Sequence, residues 1–61
     1  MEVLFELKRI GSIVRVTAVD PVTGIEAVIQ GPAHLSQQEL QRTAARKLEF
    51  LLQKEKERRG R

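Results

Sequence analysis

In the second half of the chain, apolar residues recur with the spacing of an amphipathic α-helix, from Leu35 to Gln53. At about 100° per residue they fall in one stripe about 140° wide, and the opposite side of the wheel is polar. The stripe consists of Leu40, Ala44, Ala45, Leu48, Leu51 and Leu52. A helix with one apolar stripe needs a partner element, and the alanines near its start allow that partner to approach closely.

Two short-range patterns specify where this helix begins. Ser36 followed three residues later by Glu39 is a capping box, in which each side chain bonds to the backbone of the other residue. Leu35 and Leu40 occupy the positions of a hydrophobic staple. Both patterns predict that the helix begins directly after Ser36.

The first half of the chain alternates between apolar and polar residues, a pattern typical of β-strands. Three segments show it: Val3–Ile10, Ile13–Val19 and Ile25–Gln30. The sequence therefore predicts three strands before the helix.

Turn residues separate these strands. Gly11 and Ser12 form a two-residue loop of the kind that closes a tight hairpin. The segment Asp20–Gly24 contains the Asp, Pro and Gly of a wider turn, with Gly in a left-handed conformation at its close. Gly31 and Pro32 are predicted to end the third strand, because Pro cannot donate to a ladder.

The two-residue loop also predicts the pairing register. If Ile10 lies opposite Ile13, then Val16 lies opposite Leu7 in one pair of strands and opposite Ile29 in the other. One face then carries Phe5, Leu7, Val14, Val16, Ala18, Ala27 and Ile29. With the helix stripe packed on that face, the prediction is an α+β fold: a three-stranded antiparallel β-meander followed by one C-terminal α-helix.

The opposite face of this predicted sheet is too apolar for a face in contact with water only. It carries Leu4, Ile13, Val19 and Val28. We therefore expect two copies to associate through this open face or through an edge strand. Phe50 lies outside the helix stripe and is predicted either to fold under lysine stems or against the sheet edge, or to contact a second chain.

Length and composition also favour a dimer. A chain of 61 residues buries only about 60% of its unfolded surface, so a monomer would be marginally stable. The chain has no cysteine, which removes disulfides and fits a reducing compartment. No stretch resembles a signal peptide or a membrane span, so the sequence predicts a cytoplasmic protein without membrane contact.

The formal charge of +3 suggests nucleic acid until the charges are located. Residues 54–61 hold five basic and two acidic side chains, which is the whole excess, and residues 1–53 are balanced. We predict a domain at 1–53 and a basic tail at 54–61 that continues or frays from the helix. The alternative function is weak, salt-sensitive nucleic-acid binding. Its candidate residues are Arg42, Arg46, Lys47, Lys54, Lys56, Arg58, Arg59 and Arg61.

Candidate chemistry is sparse, and we predict no catalytic, cofactor-binding or metal-binding residue. His34 is the only histidine and has no cysteine beside it, so a loop or capping role is favoured over metal binding. Ser12 and Ser36 are explained by a turn and a cap, without a matched histidine and acid. The predicted function is a small non-enzymatic protein-interaction module that self-associates and could bind another, unidentified protein through the helix face with Arg42, Arg46 and Glu49.

Two family resemblances accompany these patterns. Three strands followed by a helix containing Ala44 and Ala45 resemble the last two-thirds of a double-stranded RNA-binding domain. That family has lysines at the start of its final helix, where this chain has Ser36–Glu39, and it has an earlier helix that this sequence does not predict. The chain also resembles a family of short bacterial proteins of unknown function. The stretches that carry this second resemblance are Val16–Pro21, Thr23–Gly24, Gly31–Ala33 and Arg42–Glu49.

Overall fold

The computed structural model describes residues 2–60, which form three strands and one helix. The elements are β1 (Leu4–Ile10), β2 (Ile13–Val19), β3 (Glu26–Pro32) and α1 (Gln37–Arg59). The strands pair antiparallel in the order β1-β2-β3. The predicted α+β fold, a β-meander followed by a C-terminal helix, is confirmed.

The pairing register agrees with the prediction. Ile10 lies opposite Ile13, and Val16 lies opposite Leu7 in β1 and Ile29 in β3. The match follows from the short loop, because a two-residue connection leaves the strands no freedom to slip.

Both predicted turns have the expected backbone. Gly11 has a φ of 62° and Gly24 a φ of 77°, which are left-handed conformations that favour glycine. In the second turn the Asp20 carboxylate accepts bonds from the Val22 N–H, at 3.1 Å, and from the Thr23 hydroxyl, at 2.9 Å. Asp20 is only 6% exposed, so these bonds compensate for its lost hydration.

Strand β3 extends further than predicted, through Pro32 rather than ending at Gln30. The Lys47 ammonium donates to the Val28 carbonyl at 2.8 Å, so the backbone groups of Val28 point away from β2. Pro32 lies four residues later and has the same orientation. Its missing N–H therefore faces the free edge, and the pairing with Ile13 loses no bond.

Helix α1 packs over β2 and β3 and leaves β1 largely uncovered. The buried side chains in the described part of the chain that form the core are Val16, Ala18, Ala27, Leu40, Ala44 and Leu48. The helix follows a track of small residues, because Ala18 and Ala27 lie opposite each other and allow close approach. Phe5 is on the predicted side of the sheet but remains 37% exposed.

The closest approach of helix and sheet is at Gly31. A Cβ added there would collide with Leu40 Cδ2, and Leu40 itself is only 4% exposed. The φ of Gly31 is not left-handed, so space rather than backbone conformation requires glycine at this position. Gly31 thus helps to seat the first turns of α1.

Capping hydrogen bonds define both ends of α1. The Ser36 hydroxyl accepts a bond from the Glu39 N–H at 3.1 Å, which confirms the predicted cap. The helix continues past Gln53 to Arg59, and the Gly60 N–H bonds to the carbonyl of Lys56 at 2.9 Å. A 23-residue helix is about 34 Å long, against about 24 Å for a seven-residue strand. Its last turns therefore extend beyond the sheet, and the molecule measures 43 × 16 × 16 Å.

Candidate self-association surface

The sheet has a second face that α1 does not touch, which we call the outer face. Side chains alternate between the two faces along each strand, and the residues that pack under α1 identify the inner set. The outer face consists of Leu4, Glu6, Lys8, Ile10, Ile13, Arg15, Thr17, Val19, Glu26, Val28, Gln30 and Pro32. It is a single layer of twelve side chains that spans all three strands.

Large apolar side chains on the outer face are open to solvent. The exposed fraction is 50% for Leu4, 44% for Ile13 and 41% for Val28, and Val19 is half-buried. These are the four sheet residues that sequence reasoning selected for self-association, and the structure places them on one face. It adds Ile10, which is 50% exposed. The alternation that begins at Leu4 also places Ile10 on this face, directly beside the turn.

The register sorts the outer face into four rows that run across the strands. In order along β1, the rows are Leu4–Val19–Glu26, Glu6–Thr17–Val28, Lys8–Arg15–Gln30 and Ile10–Ile13–Pro32. The first and fourth rows are mainly apolar, and the second and third hold the charges near the middle. This arrangement is apolar at both ends and charged between them.

Phe50, the fifth predicted self-association residue, is not part of this surface. It projects from α1, which packs on the other face of the sheet, and it is 60% exposed. The Lys54 ammonium lies 5.5 Å from the centroid of its ring. The ring thus has a cation–π partner within the chain, while most of it remains open to solvent.

Several of the candidate nucleic-acid residues already have partners within the chain. Lys47 bonds to the carbonyl of Val28, and Lys54 lies over the ring of Phe50. Arg58 donates to Glu55 at 2.8 Å, and Arg59 donates to the same carboxylate at 3.1 Å.

The hydrogen bond from Arg58 holds the pKa of Glu55 below its usual range, and the positive charges of Arg58 and Arg59 act in the same direction. Partial burial of the carboxylate opposes them. Arg58 and Arg59 therefore form ion pairs within the last turns of α1.

The basic residues also do not share one face of α1. At about 100° per residue, Arg42 and Arg46 lie on the side opposite the sheet, and Lys47 lies toward β3. Arg59 points to neither of these two sides. Lys56 lies on the same side as Arg42 and Arg46, Arg58 points to the side of Leu40, and Arg61 lies outside the described residues. The helix start, Ser36–Glu39, carries no cation.

Concave sites in the described part of the chain are open depressions rather than enclosed cavities. One of them, about 640 Å³, has Phe50 and Leu52 in its lining. These residues are two positions apart on a helix and point about 160° apart, so this depression wraps around α1 instead of enclosing a ligand.

Possible catalytic and metal-binding side chains are also scattered. Within residues 2–60, no three His, Cys, Asp or Glu side chains converge to hold a metal ion. His34 is exposed in the turn before α1. In the same residues, no helix is long and apolar enough to cross a membrane.

Comparison with known proteins gives a family. The model of a family described as "Domain of unknown function (DUF6898)" matches residues 1–55. The chain belongs to this family. The match covers all three strands and most of α1, so the DUF6898 domain includes the β-β-β-α fold described above. No curated protein and no solved structure matches the chain.

Proposed function

We propose that this DUF6898 protein is a small non-enzymatic module of the cytoplasm that self-associates as a homodimer through the outer face. The observation that carries the proposal is the set of large apolar side chains on that face, with Leu4 and Ile10 each 50% exposed and Ile13 44% exposed. Several large apolar side chains exposed on one face are typical of a protein–protein contact. The small core gives a further reason, because association adds buried area that 61 residues cannot supply alone.

The size of the outer face predicts a weak and reversible dimer. Three strands of seven residues cover about 14 Å by 23 Å. The face offers twelve side chains, compared with roughly 20–30 residues a side in a standard interface. A contact this small is typical of weak, transient association.

The edge strands are less suited to this role than the outer face. At the β3 edge, Lys47 already occupies the carbonyl of Val28 and lays a charged side chain across the strand. The β1 edge is the competing surface, but it does not cover Ile13 or Val28. Pairing through the outer face buries both.

Sedimentation equilibrium at tens to hundreds of micromolar tests the proposal. Ile13→Lys places a charge in an apolar end row of the outer face, on the central strand β2, and we expect it to shift the equilibrium to monomer. The matched control is Val22→Lys, because Val22 is 90% exposed in the turn between β2 and β3, is not one of the outer-face residues and should not affect association. Circular dichroism checks that both variants fold. A wild-type monomer over this whole range would contradict the proposal.

The same experiment separates the outer face from the helix. Phe50→Ala removes the exposed aromatic ring on α1 without touching the sheet. If Phe50→Ala dissociates the dimer and Ile13→Lys does not, self-association belongs to the helix. The polar side of α1 with Arg42, Arg46 and Glu49 is then the remaining surface for a different protein partner.

The alternative function, weak nucleic-acid binding through the basic C-terminal residues, receives less support. Lys47, Lys54, Arg58 and Arg59 have partners within the chain, which leaves Arg42, Arg46 and Lys56 on the polar side of α1, where Glu49 reduces their net positive charge. Retention on DNA or RNA at low salt, compared between the full chain and a chain lacking residues 54–61, tests it. A nucleic-acid binder should lose retention on truncation while its oligomeric state stays the same. Arg42→Gln with Lys56→Gln is a matched variant that keeps the helix at full length.

A further inference from the structure

We propose, on the basis of the homodimer above, that the two copies are related by a two-fold axis that runs across the strands at the level of Leu7. Each strand then lies antiparallel over its own copy. In this arrangement Glu6 of each chain faces Lys8 of the second copy, so two ion pairs form around the axis. The outer face thus selects a second copy of this chain as its partner, in one orientation.

The row order of the outer face leads to this axis. Rotation about a line across the strands exchanges the first row with the fourth and the second row with the third, while β1 stays over β1. Leu4 therefore faces Ile10 of the second copy, and Val19 faces Ile13. Apolar ends meet apolar ends, and the charged middle rows meet each other.

The charges in the middle rows are complementary only in this orientation. Glu6 lies in the second row and Lys8 in the third, so the rotation brings opposite charges together twice. Arg15 faces Thr17 of the second copy, which is neutral. A face-to-face contact of two sheets in near alignment is also a common packing geometry.

The competing two-fold axis, along β2, places the charges badly. It keeps each row over the same row and exchanges β1 with β3. Arg15 would then lie directly over Arg15 of the second copy, and Leu4 would lie over Glu26. Opposed like charges at an interface disfavour the pairing, so this orientation is selected against.

The same pairing accounts for an unfavourable feature of the single chain. Lys8 and Arg15 lie directly opposite each other across β1 and β2, and like charges in this position destabilise a sheet. Glu6 of the second copy would bring a negative charge to Lys8 from above. The isolated chain carries the repulsion, and the dimer compensates for it.

Charge reversal tests the orientation. In Glu6→Lys, both ion pairs become Lys–Lys contacts, and in Lys8→Glu both become Glu–Glu contacts. We expect each variant alone to self-associate at least about tenfold more weakly than wild type. Mixed together, the two variants form two attractive pairs, so a heterodimer should predominate over both homodimers. Native mass spectrometry of chains that differ by isotope labelling measures the three populations.

The matched control is Glu26→Lys, mixed with Lys8→Glu. Glu26 lies on the same face but in the first row, where it faces Pro32 of the second copy. In that mixture the heterodimer has one attractive and one repulsive pair, and no preference for it is expected. The double reversal Glu6→Lys with Lys8→Glu in one chain restores both pairs and should recover wild-type association.

The outcomes separate the orientation from the dimer itself. If wild type self-associates and Ile13→Lys abolishes this, but the mixed charge variants show no heterodimer preference, the orientation is wrong and the proposed function stands. If wild type is monomeric, the proposed orientation and the proposed homodimer are both refuted. Circular dichroism controls for folding, and Lys8→Glu is expected to fold at least as well as wild type because it faces Arg15.

Discussion

Gly31→Ala tests how closely α1 is seated on the sheet. The backbone of Gly31 suits alanine, so a site with free space would gain about 0.4–1 kcal/mol from the lower entropy of the unfolded chain. Here the new Cβ collides with Leu40 Cδ2, and Leu40 is held in the core at 4% exposure. Overpacking of this kind costs about 1–3 kcal/mol. The collision exceeds the entropic gain, so we expect a net loss of about 1–2 kcal/mol.

A loss of this size is easily measured in so small a protein. Stability of about 0.05–0.15 kcal/mol per residue gives roughly 3–9 kcal/mol for the chain, and each 1 kcal/mol lowers Tm by about 4–8 °C. Urea unfolding followed by circular dichroism at fixed protein concentration provides the comparison. The fixed concentration matters because self-association would add to the apparent stability.

A double-mutant cycle with Leu40→Val identifies the cause. Valine lacks the Cδ atoms and costs about 1 kcal/mol by itself. In the Leu40→Val background the collision is gone, so Gly31→Ala should become neutral or stabilising. The coupling between the two changes should then be about 1–3 kcal/mol. Equal or greater stability of Gly31→Ala in the wild-type background would refute the reasoning.

Three further changes address the ends and turns of the fold. Ser36→Ala removes the acceptor for the Glu39 N–H and should cost about 1 kcal/mol in urea unfolding, with Ser36→Asp as the control that retains a cap. Asp20→Ala leaves the Val22 N–H and the Thr23 hydroxyl without their acceptor and should cost about 1–3 kcal/mol, and Asp20→Asn should cost less. Because Arg58 lowers the pKa of folded Glu55, the resulting stability is present above the ordinary glutamate pKa and is lost as the pH falls through the lowered value. Helicity at the end of α1 should therefore decrease in acid, and Glu55→Gln should remove this part of the pH dependence; identical acid titrations would contradict the pairing.

The elements that the sequence predicted well are those that local chemistry determines. Gly11 fixed the register through a turn that only one pairing satisfies, and Ser36 with Glu39 fixed the start of α1. Alternation then assigned each side chain to a face. Alternation thus places four of the five proposed self-association residues on the outer face, because the face of a side chain depends only on its position along its own strand.

The features that were missed depend on contacts between distant residues. The lateral position of α1 over β2 and β3 comes from the small residues Ala18, Ala27 and Gly31. Phe5 stays partly exposed as a result. The sequence pattern indicates only the end of a strand at Gly31. Pro32 continues β3 because its backbone N faces the free edge, which one-dimensional alternation does not reveal.

The two edges of the sheet are not equivalent, and this limits how many chains can join through backbone hydrogen bonds. At β3 the Lys47 side chain occupies an outward carbonyl, while β1 is the opposite edge. Strand addition between two β1 edges would use the one unblocked margin of each described sheet. Growth by that route ends at a closed pair instead of propagating as a fibril, because Lys47 leaves each sheet only one edge open to strand addition.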